Sequence, residues 1–312
     1  MADLVLLGPQ RFEPSLRREV DSLGISGRIA AVTAGWQERE GEDAELRDHL
    51  GRRVVNLRLH YRAEQVFAAD EALFAALRRR QNRLKELQKL YRLRLDATLG
   101  AARELLRRKD EPEVVEPEQA AAIEALRDLD THLQNRVRET HRQFEDERRG
   151  EVSEALEEHR AEILEELTDC EALAIAGGHV AVLLNRLRLF DVLPEVGERP
   201  MFAWSAGAMV LAERIVLFHD SPPQGAGNAE VLESGFGLLP DILPLPHAAR
   251  RLRLADPLRV ALFSRRFAPL RATTLDAGAR LVVRDGRWVE SQGVRVLYPS
   301  GAVRRPNSGG SR

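Results

Sequence analysis

One cysteine, Cys170, stands in 312 residues, which excludes a disulfide framework and a cysteine-built metal site. No apolar run approaches the roughly 20 residues that a membrane-spanning helix needs, and the opening Met-Ala-Asp-Leu-Val-Leu-Leu is too short for a secretory signal. Charge of one sign is also missing. With 47 Lys/Arg against 49 Asp/Glu and a formal net charge of −2, there is no electrostatic case for nucleic acid or an anionic membrane as partner. What is present, 44% hydrophobic and 31% charged residues, describes a globular chain with much charged helix surface. Its length allows one large domain plus an insertion. The reading is a cytoplasmic protein with no metal and no other cofactor.

A second scarcity locates the insertion. Residues 62–109 contain no proline and a single glycine. Leu73, Leu77, Leu84, Leu87, Tyr91, Leu95 and Leu99 there step mostly by three, four or seven, as one helix face requires. After the breaker at 110–117 a second helical stripe runs through Ile123, Leu126, Leu133, Val137 and Phe144. It slips by one residue and continues through Val152, Leu156, Ile163 and Leu167. Each arm would be roughly 70–80 Å long at the α-helical rise. The first arm has 13 Lys/Arg and 6 Asp/Glu, whereas residues 117–168 have 7 Arg and 15 Asp/Glu. Opposite fields favour side-by-side pairing, so residues 61–168 read as an antiparallel coiled-coil hairpin. The acidic arm also accounts for the basic cluster at 78–85 without nucleic acid.

On either side of the hairpin the pattern alternates. Short apolar runs at 4–8, 28–35, 54–59, 172–176 and 201–204 read as buried parallel strands, with helical periodicity at 13–23, 38–50 and 180–190 between them. The fold class is α/β, a three-layer parallel sheet flanked by helices, formed discontinuously from residues 1–60 and 169–300. Asp285-Gly286 between apolar runs signals a late β-hairpin. A final strand follows at 294–298, and 301–312 reads as a disordered tail. A domain of this size is about 40–45 Å across, too small to cover such long arms. The hairpin is therefore expected to project with its tip far from the sheet and to make subunit contacts, as a homodimer.

Chemistry points to Ala203-Trp204-Ser205-Ala206-Gly207, small-x-Ser-x-small between a strand and a helix. This is the nucleophile-elbow pattern: a tight turn presents the hydroxyl above the sheet, and small neighbours permit the backbone crowding. The following helix aims N–H groups and the positive end of its dipole at the same point. A serine nucleophile needs a base and a group that orients it. Of eight histidines, His49, His60, His132, His141 and His159 lie on or before the hairpin and take structural or surface roles. His179, His219 and His247 lie near strand ends. Asp220 falls between Ser205 and His247, giving the chain order Ser, Asp, His found with this elbow.

Gly177-Gly178, the run from Ala203 to Ala208, Asp220, Ser234-Gly-Phe-Gly-Leu-Leu239 and Pro246-His247 together resemble the ordered motifs of one family. This is the aspartyl dipeptidase (peptidase E) and cyanophycinase family of serine peptidases, which shares its fold with class I glutamine amidotransferases. The closing 274–283 run is similar to that family's end. The resemblance covers about residues 1–60 and 170–300 and leaves out the hairpin. It implies a class I glutamine amidotransferase-like fold and a peptide or amide substrate cleaved through an acyl-enzyme.

By the same resemblance Ser205 is the nucleophile, His247 the base and Asp220 the orienting acid. Glu230 and Glu233 are alternatives to Asp220, since cyanophycinases use Glu. Backbone N–H groups of Gly178 and Ala206 would form the oxyanion hole, with Gly177, His179 and Trp204 as substrate contacts. Three departures stand out: Ala203 replaces the usual Gly, His179 stands where a small polar residue often follows the glycines, and Ala248, not an aromatic, follows the histidine. The first bears on elbow geometry and the others on substrate choice. Amidotransferase chemistry itself needs a Cys at the elbow, and Cys170 is too far upstream, a buried structural thiol. The alternative function is a degenerate hydrolase domain that serves as a scaffold for the hairpin, for example with Trp204 or Trp36 blocking the site.

Overall fold

The protein was analysed as a computed structural model that describes residues 3–220 and 227–306. The apolar runs form β1 (Leu4–Leu7), β2 (Arg28–Val32), β3 (Val54–Asn56), β4 (Cys170–Ile175) and β5 (Met201–Trp204). They are parallel neighbours in the order β1-β5-β4-β2-β3. Alternation within each strand feeds two apolar layers, as the pleat dictates. Val5, Leu7, Ile29, Ala31, Phe202 and Trp204 pack with Leu16, Val20, Leu46 and Leu50, which come from α1 (Leu16–Ser22) and α2 (Ala44–His49). Leu4, Leu6, Ala30, Val32, Leu173 and Ala203 face the other layer. The domain is α/β with helices on both faces of a mostly parallel sheet.

Between β3 and β4 run α3 (Leu59–Ala69), α4 (Glu71–Arg107), α5 (Pro112–Glu147) and α6 (Glu154–Thr168). Each expected arm is thus broken once. Asp70 leaves the helical region and its carboxylate accepts the Leu73 N–H at 2.8 Å, capping α4. The second break lies where the apolar stripe slips, and Val152, placed on that stripe, is 75% exposed there. The paired stripes are otherwise buried: Leu84, Tyr91, Leu95 and Leu99 on α4 and Ile123, Leu126, Leu133 and Val137 on α5.

The remaining helices and strands complete two smaller sheets. After β4 come α7 (Val180–Leu189) and α8 (Val192–Val196), and after β5 comes α9 (Ala206–Leu211). Then β6 (Arg214–Leu217) pairs antiparallel with β7 (Glu230–Ser234). Next are β8 (Ile242–Pro246), α10 (Ala248–Arg251), α11 (Pro257–Phe267) and β9 (Arg271–Leu275), with β8 and β9 parallel. The predicted late hairpin, β10 (Arg280–Arg284) and β11 (Arg287–Gln292), adds antiparallel to β1 at the edge of the large sheet. β12 (Val296–Leu297) and β13 (Val303–Arg304) extend the sheet of β8 and β9. Structure therefore continues into the segment read as a disordered tail from 301; residues 307–312 lie outside those described.

The expectation of a projecting hairpin is overturned. α4 and α5 pack along β7 and α11, held by polar groups that face the domain. Gln88 Nε2 donates to the Val231 carbonyl at 3.1 Å, and the Val231 N–H donates to the Tyr91 hydroxyl at 3.1 Å. The edge of β7 is thereby covered by side chains, one of the ways an open strand edge is protected. Behind it Arg266 of α11 grips Asp130 of α5 through Nε at 2.8 Å and Nη2 at 2.6 Å. The same guanidinium donates to Tyr91 at 2.7 Å and to the Ala229 carbonyl at 2.8 Å. Tyr91 in turn donates to Asp130 at 2.8 Å. Arg266 is 2% and Asp130 0% exposed. Such ionisable groups tolerate burial only when fully paired.

Farther along, Leu99 and Arg103 of α4 line one cavity with Leu252 and Leu254, beyond α10. The stripes that argued for a subunit interface are satisfied within one chain. Arg266→Met, which leaves Asp130 a buried unpaired carboxylate, should cost about 3–5 kcal/mol. Asp130→Leu combined with Arg266→Met should recover most of that loss. Urea denaturation of the three proteins checks both outcomes.

Candidate active site

β5 ends at Trp204, and the chain turns at Ser205 with φ 52° and ψ −122° before α9 begins at Ala206. A non-glycine residue held there is strained, and such strain concentrates at reactive turns. The nucleophile-elbow backbone is thus present with Ala203 in place of glycine. Ala203 lies between Leu6 and Ile175 in the sheet and is fully buried. The turn leaves the Ser205 side chain partly exposed at the carboxyl edge.

Gly177 passes directly over the serine. A Cβ placed on it would lie 2.7 Å from Ser205 Cβ and 3.4 Å from Oγ, so only glycine fits without displacement. Gly178 has φ 112°, and a Cβ there would meet the Gly35 carbonyl oxygen at 2.2 Å. The His179 N–H donates to that same carbonyl at 2.7 Å. Ala206 is the first residue of α9, so its N–H has no intrahelical acceptor. The expected oxyanion donors, Gly178 and Ala206, thus belong to the two segments that flank Ser205.

β8 delivers the histidine. Its last residue, Pro246, is in register with Leu275 of β9, and His247 follows in the left-handed region, φ 57° and ψ 32°. Ser205 Oγ lies 3.3 Å from His247 Nε2. With the imidazole protonated on Nδ1, the serine hydroxyl donates to Nε2, the arrangement of a nucleophile with its base. Burial pushes the His247 pKa below its ordinary value, and the charges of Arg251 and Arg250 push the same way, while Asp276 opposes them. A neutral imidazole at neutral pH is what a general base requires.

The acids named from the sequence are engaged elsewhere. Asp220 is ion-paired with Arg259 and accepts the Arg253 N–H at 3.0 Å. Glu230 accepts from Arg92 at 2.7 Å. Glu233 meets His141 at 3.1 Å and pairs with Arg188. None of the three hydrogen-bonds His247 among the described residues. The carboxylate whose field acts on His247 is Asp276, directly after β9, which accepts the Ala249 N–H at 2.8 Å and Arg295 Nη2 at 3.3 Å. It stands within the 274–283 motif, and pairing of β8 with β9 is what places it beside residue 247.

Two further residues differ from their expected roles. Trp204, expected to touch substrate, is 7% exposed and packs in the apolar layer with Phe202 and Leu16. Strand alternation sends it to the face opposite Ala203. Trp36 packs against that same layer. His179 caps α7 by accepting the Val182 N–H on Nδ1 at 3.3 Å, with its ring exposed. His219, the third strand-end candidate, stacks on Phe218 at 6.3 Å between centroids. Cys170 is buried, its Sγ 3.2 Å from the Glu166 carbonyl, and burial raises its pKa. No cluster of three or more potential metal ligands occurs, and no helix is long and apolar enough to cross a membrane, among the described residues.

No family model and no curated protein matches the chain. Among solved structures it is similar to a peptidase from an acI-B1 Actinobacterium, with 15% identity and a TM-score of 0.49 over 96% of this chain and 91% of that one. It is also similar to a candidate peptidase E protein from Listeria monocytogenes EGD-e, with 12% identity and a TM-score of 0.43 over 94% and 98%.

The imidazole resonances of His247 should titrate with a midpoint below 6.5. Arg251→Met removes a cation that disfavours the imidazolium, so the midpoint should rise. An NMR pH titration of the two proteins measures both.

Proposed function

We propose that the chain is a serine hydrolase that cleaves a peptide or amide bond through an acyl-enzyme, as the resemblance to the peptidase E and cyanophycinase family implies. The observation that carries this reading is the strained Ser205 with its Oγ 3.3 Å from His247 Nε2. A tight turn alone would not need that backbone and that partner together. His247 takes the Ser205 proton as Oγ attacks the carbonyl carbon, and the new C–O bond leaves a negative charge on the carbonyl oxygen. The N–H groups of Gly178 and Ala206 would receive that oxyanion. The imidazolium then protonates the leaving amine, and water repeats the sequence to release the acid and restore Ser205.

Asp276 is the acid we assign to His247, in place of Asp220. Its charge stabilises the imidazolium that forms during attack. Its own orientation is fixed by the Ala249 N–H and Arg295. Asp220 instead belongs to the scaffold, through Arg259 and the Arg253 amide. The scaffold alternative draws no support from the site: Ser205 and His247 are in contact, and Trp204 and Trp36 are packed into a core layer.

A fluorophosphonate probe should label Ser205. Ser205→Ala should abolish labelling, and His247→Ala should slow it about 10²–10⁴-fold. Gly177→Ala should also block it, because the added methyl occupies the space over the serine. Asp276→Asn should slow labelling at high pH and low pH alike, whereas Asp220→Asn should lower stability and spare the rate. Because His247 must be neutral, the rate should fall as pH drops through a midpoint below 6.5. An unlabelled Ser205 under conditions that label other serine hydrolases would sink the proposal.

A further inference from the structure

Away from Ser205, the base of the hairpin borders a half-open cavity of about 740 Å³, within the size range of small-molecule sites. One wall is formed by α4, α5 and α6, and the other by the end of α7 and the segment after β7. Apolar surface comes from Leu73, Leu77, Phe144, Leu156 and Phe236. The polar surface is dominated by guanidinium groups, and most are already matched. Arg142 pairs with Glu139 at 2.6 Å, Arg148 with Glu151 at 2.9 Å and Arg160 with Glu157 at 2.8 Å. Arg188 is held by Glu233 and by the Ser234 carbonyl at 2.7 Å.

Arg80 is the exception. Its Cζ lies 4.4 Å from the Phe144 ring centroid, a cation–π contact that fixes the guanidinium plane. Its Nε is buried and has no hydrogen-bond partner, and no carboxylate pairs with the side chain among the described residues. Burial pushes the Arg80 pKa down, against the attraction of Glu233. Arg80 lines the cavity with no ion partner among the described residues, and the terminal N–H groups of a guanidinium suit a carboxylate or phosphate. Arg138 shares the cavity and, among the described residues, bonds only the Asn135 side chain, at 2.6 Å.

We propose that this cavity binds a small amphipathic anion, with its carboxylate or phosphate head on Arg80 and its apolar body along Phe144, Leu77 and Leu73. The ligand would touch the hairpin and the α/β domain at once, so binding would favour the docked arrangement of the two. The site rests on none of the residues assigned to the hydrolytic reaction.

Calorimetric titration of the full chain tests this with octanoate, octyl phosphate and octanol. One or both anions should bind and octanol should bind far more weakly; the tighter anion identifies the head group. Arg80→Leu, which keeps the packing on Phe144, should weaken anion binding by roughly tenfold or more, the size expected for lost charge-assisted hydrogen bonds. Arg80→Lys, which keeps the charge and removes the planar fork, should weaken it by a smaller factor. Fluorophosphonate labelling of Ser205 should stay unchanged in both variants, which separates this site from the reactive serine. Failure of both anions to bind, or binding that is equal for octanol or undiminished in Arg80→Leu and Arg80→Lys, would overturn the proposal.

Discussion

A guanidinium and a carboxylate, both cut off from water, can coexist only if every donor and acceptor around them is matched. That constraint governs how the two parts of this chain fit together. Arg266 comes from α11, Asp130 and Tyr91 from the two arms of the hairpin, and the Ala229 and Val231 backbone groups from in and beside β7. Any shift of the hairpin along the domain would break several of these bonds at once. The insertion is therefore fixed in register on the α/β domain, and the β6–β7 ribbon is held between them.

The consequences reach the site through connectivity. β7 leads to β8, β8 ends one residue before His247, and α10 and α11 follow in the segment that bears Arg266. Leu99 and Arg103 of α4 line one cavity with Leu252 and Leu254, a few residues beyond the histidine. α4 and α5 also pack on α11, so the helical insertion supports the segment that follows His247, while the large sheet carries Ser205. Two halves of a dyad come from different sheets, and the packing between them sets the 3.3 Å separation.

At Ser205 the chain accepts a strained backbone, and its neighbours show why the strain persists. Gly177 leaves no room for a side chain over the hydroxyl, and Gly178 follows the tight approach of the Gly35 carbonyl. α9 then buries every one of its residues. A turn locked on both sides by packing can hold an unfavourable φ that an isolated loop would relax. The same packing partly buries His247, which disfavours its imidazolium form.

Much of this was determined by the sequence itself. Uninterrupted apolar runs such as Leu4–Leu7 and residues 172–175 can be covered only on both faces, which dictates a parallel sheet between helices. The leucine stripes specify a paired helical hairpin, and the small residues around Ser205 specify the elbow. Tertiary structure alone decided where the hairpin lies. Gln88 and Asp130 look like surface residues, and Tyr91 like one more member of the apolar stripe, until Val231 and Arg266 are placed opposite them. It also decided where the candidate acids stand. Chain order favours Asp220, which follows the serine, but Asp220 is paired with Arg259, while the pairing of β8 with β9 brings Asp276 level with His247. Local pattern fixes what a segment becomes, whereas long-range pairing of buried charges and strands fixes what stands beside it.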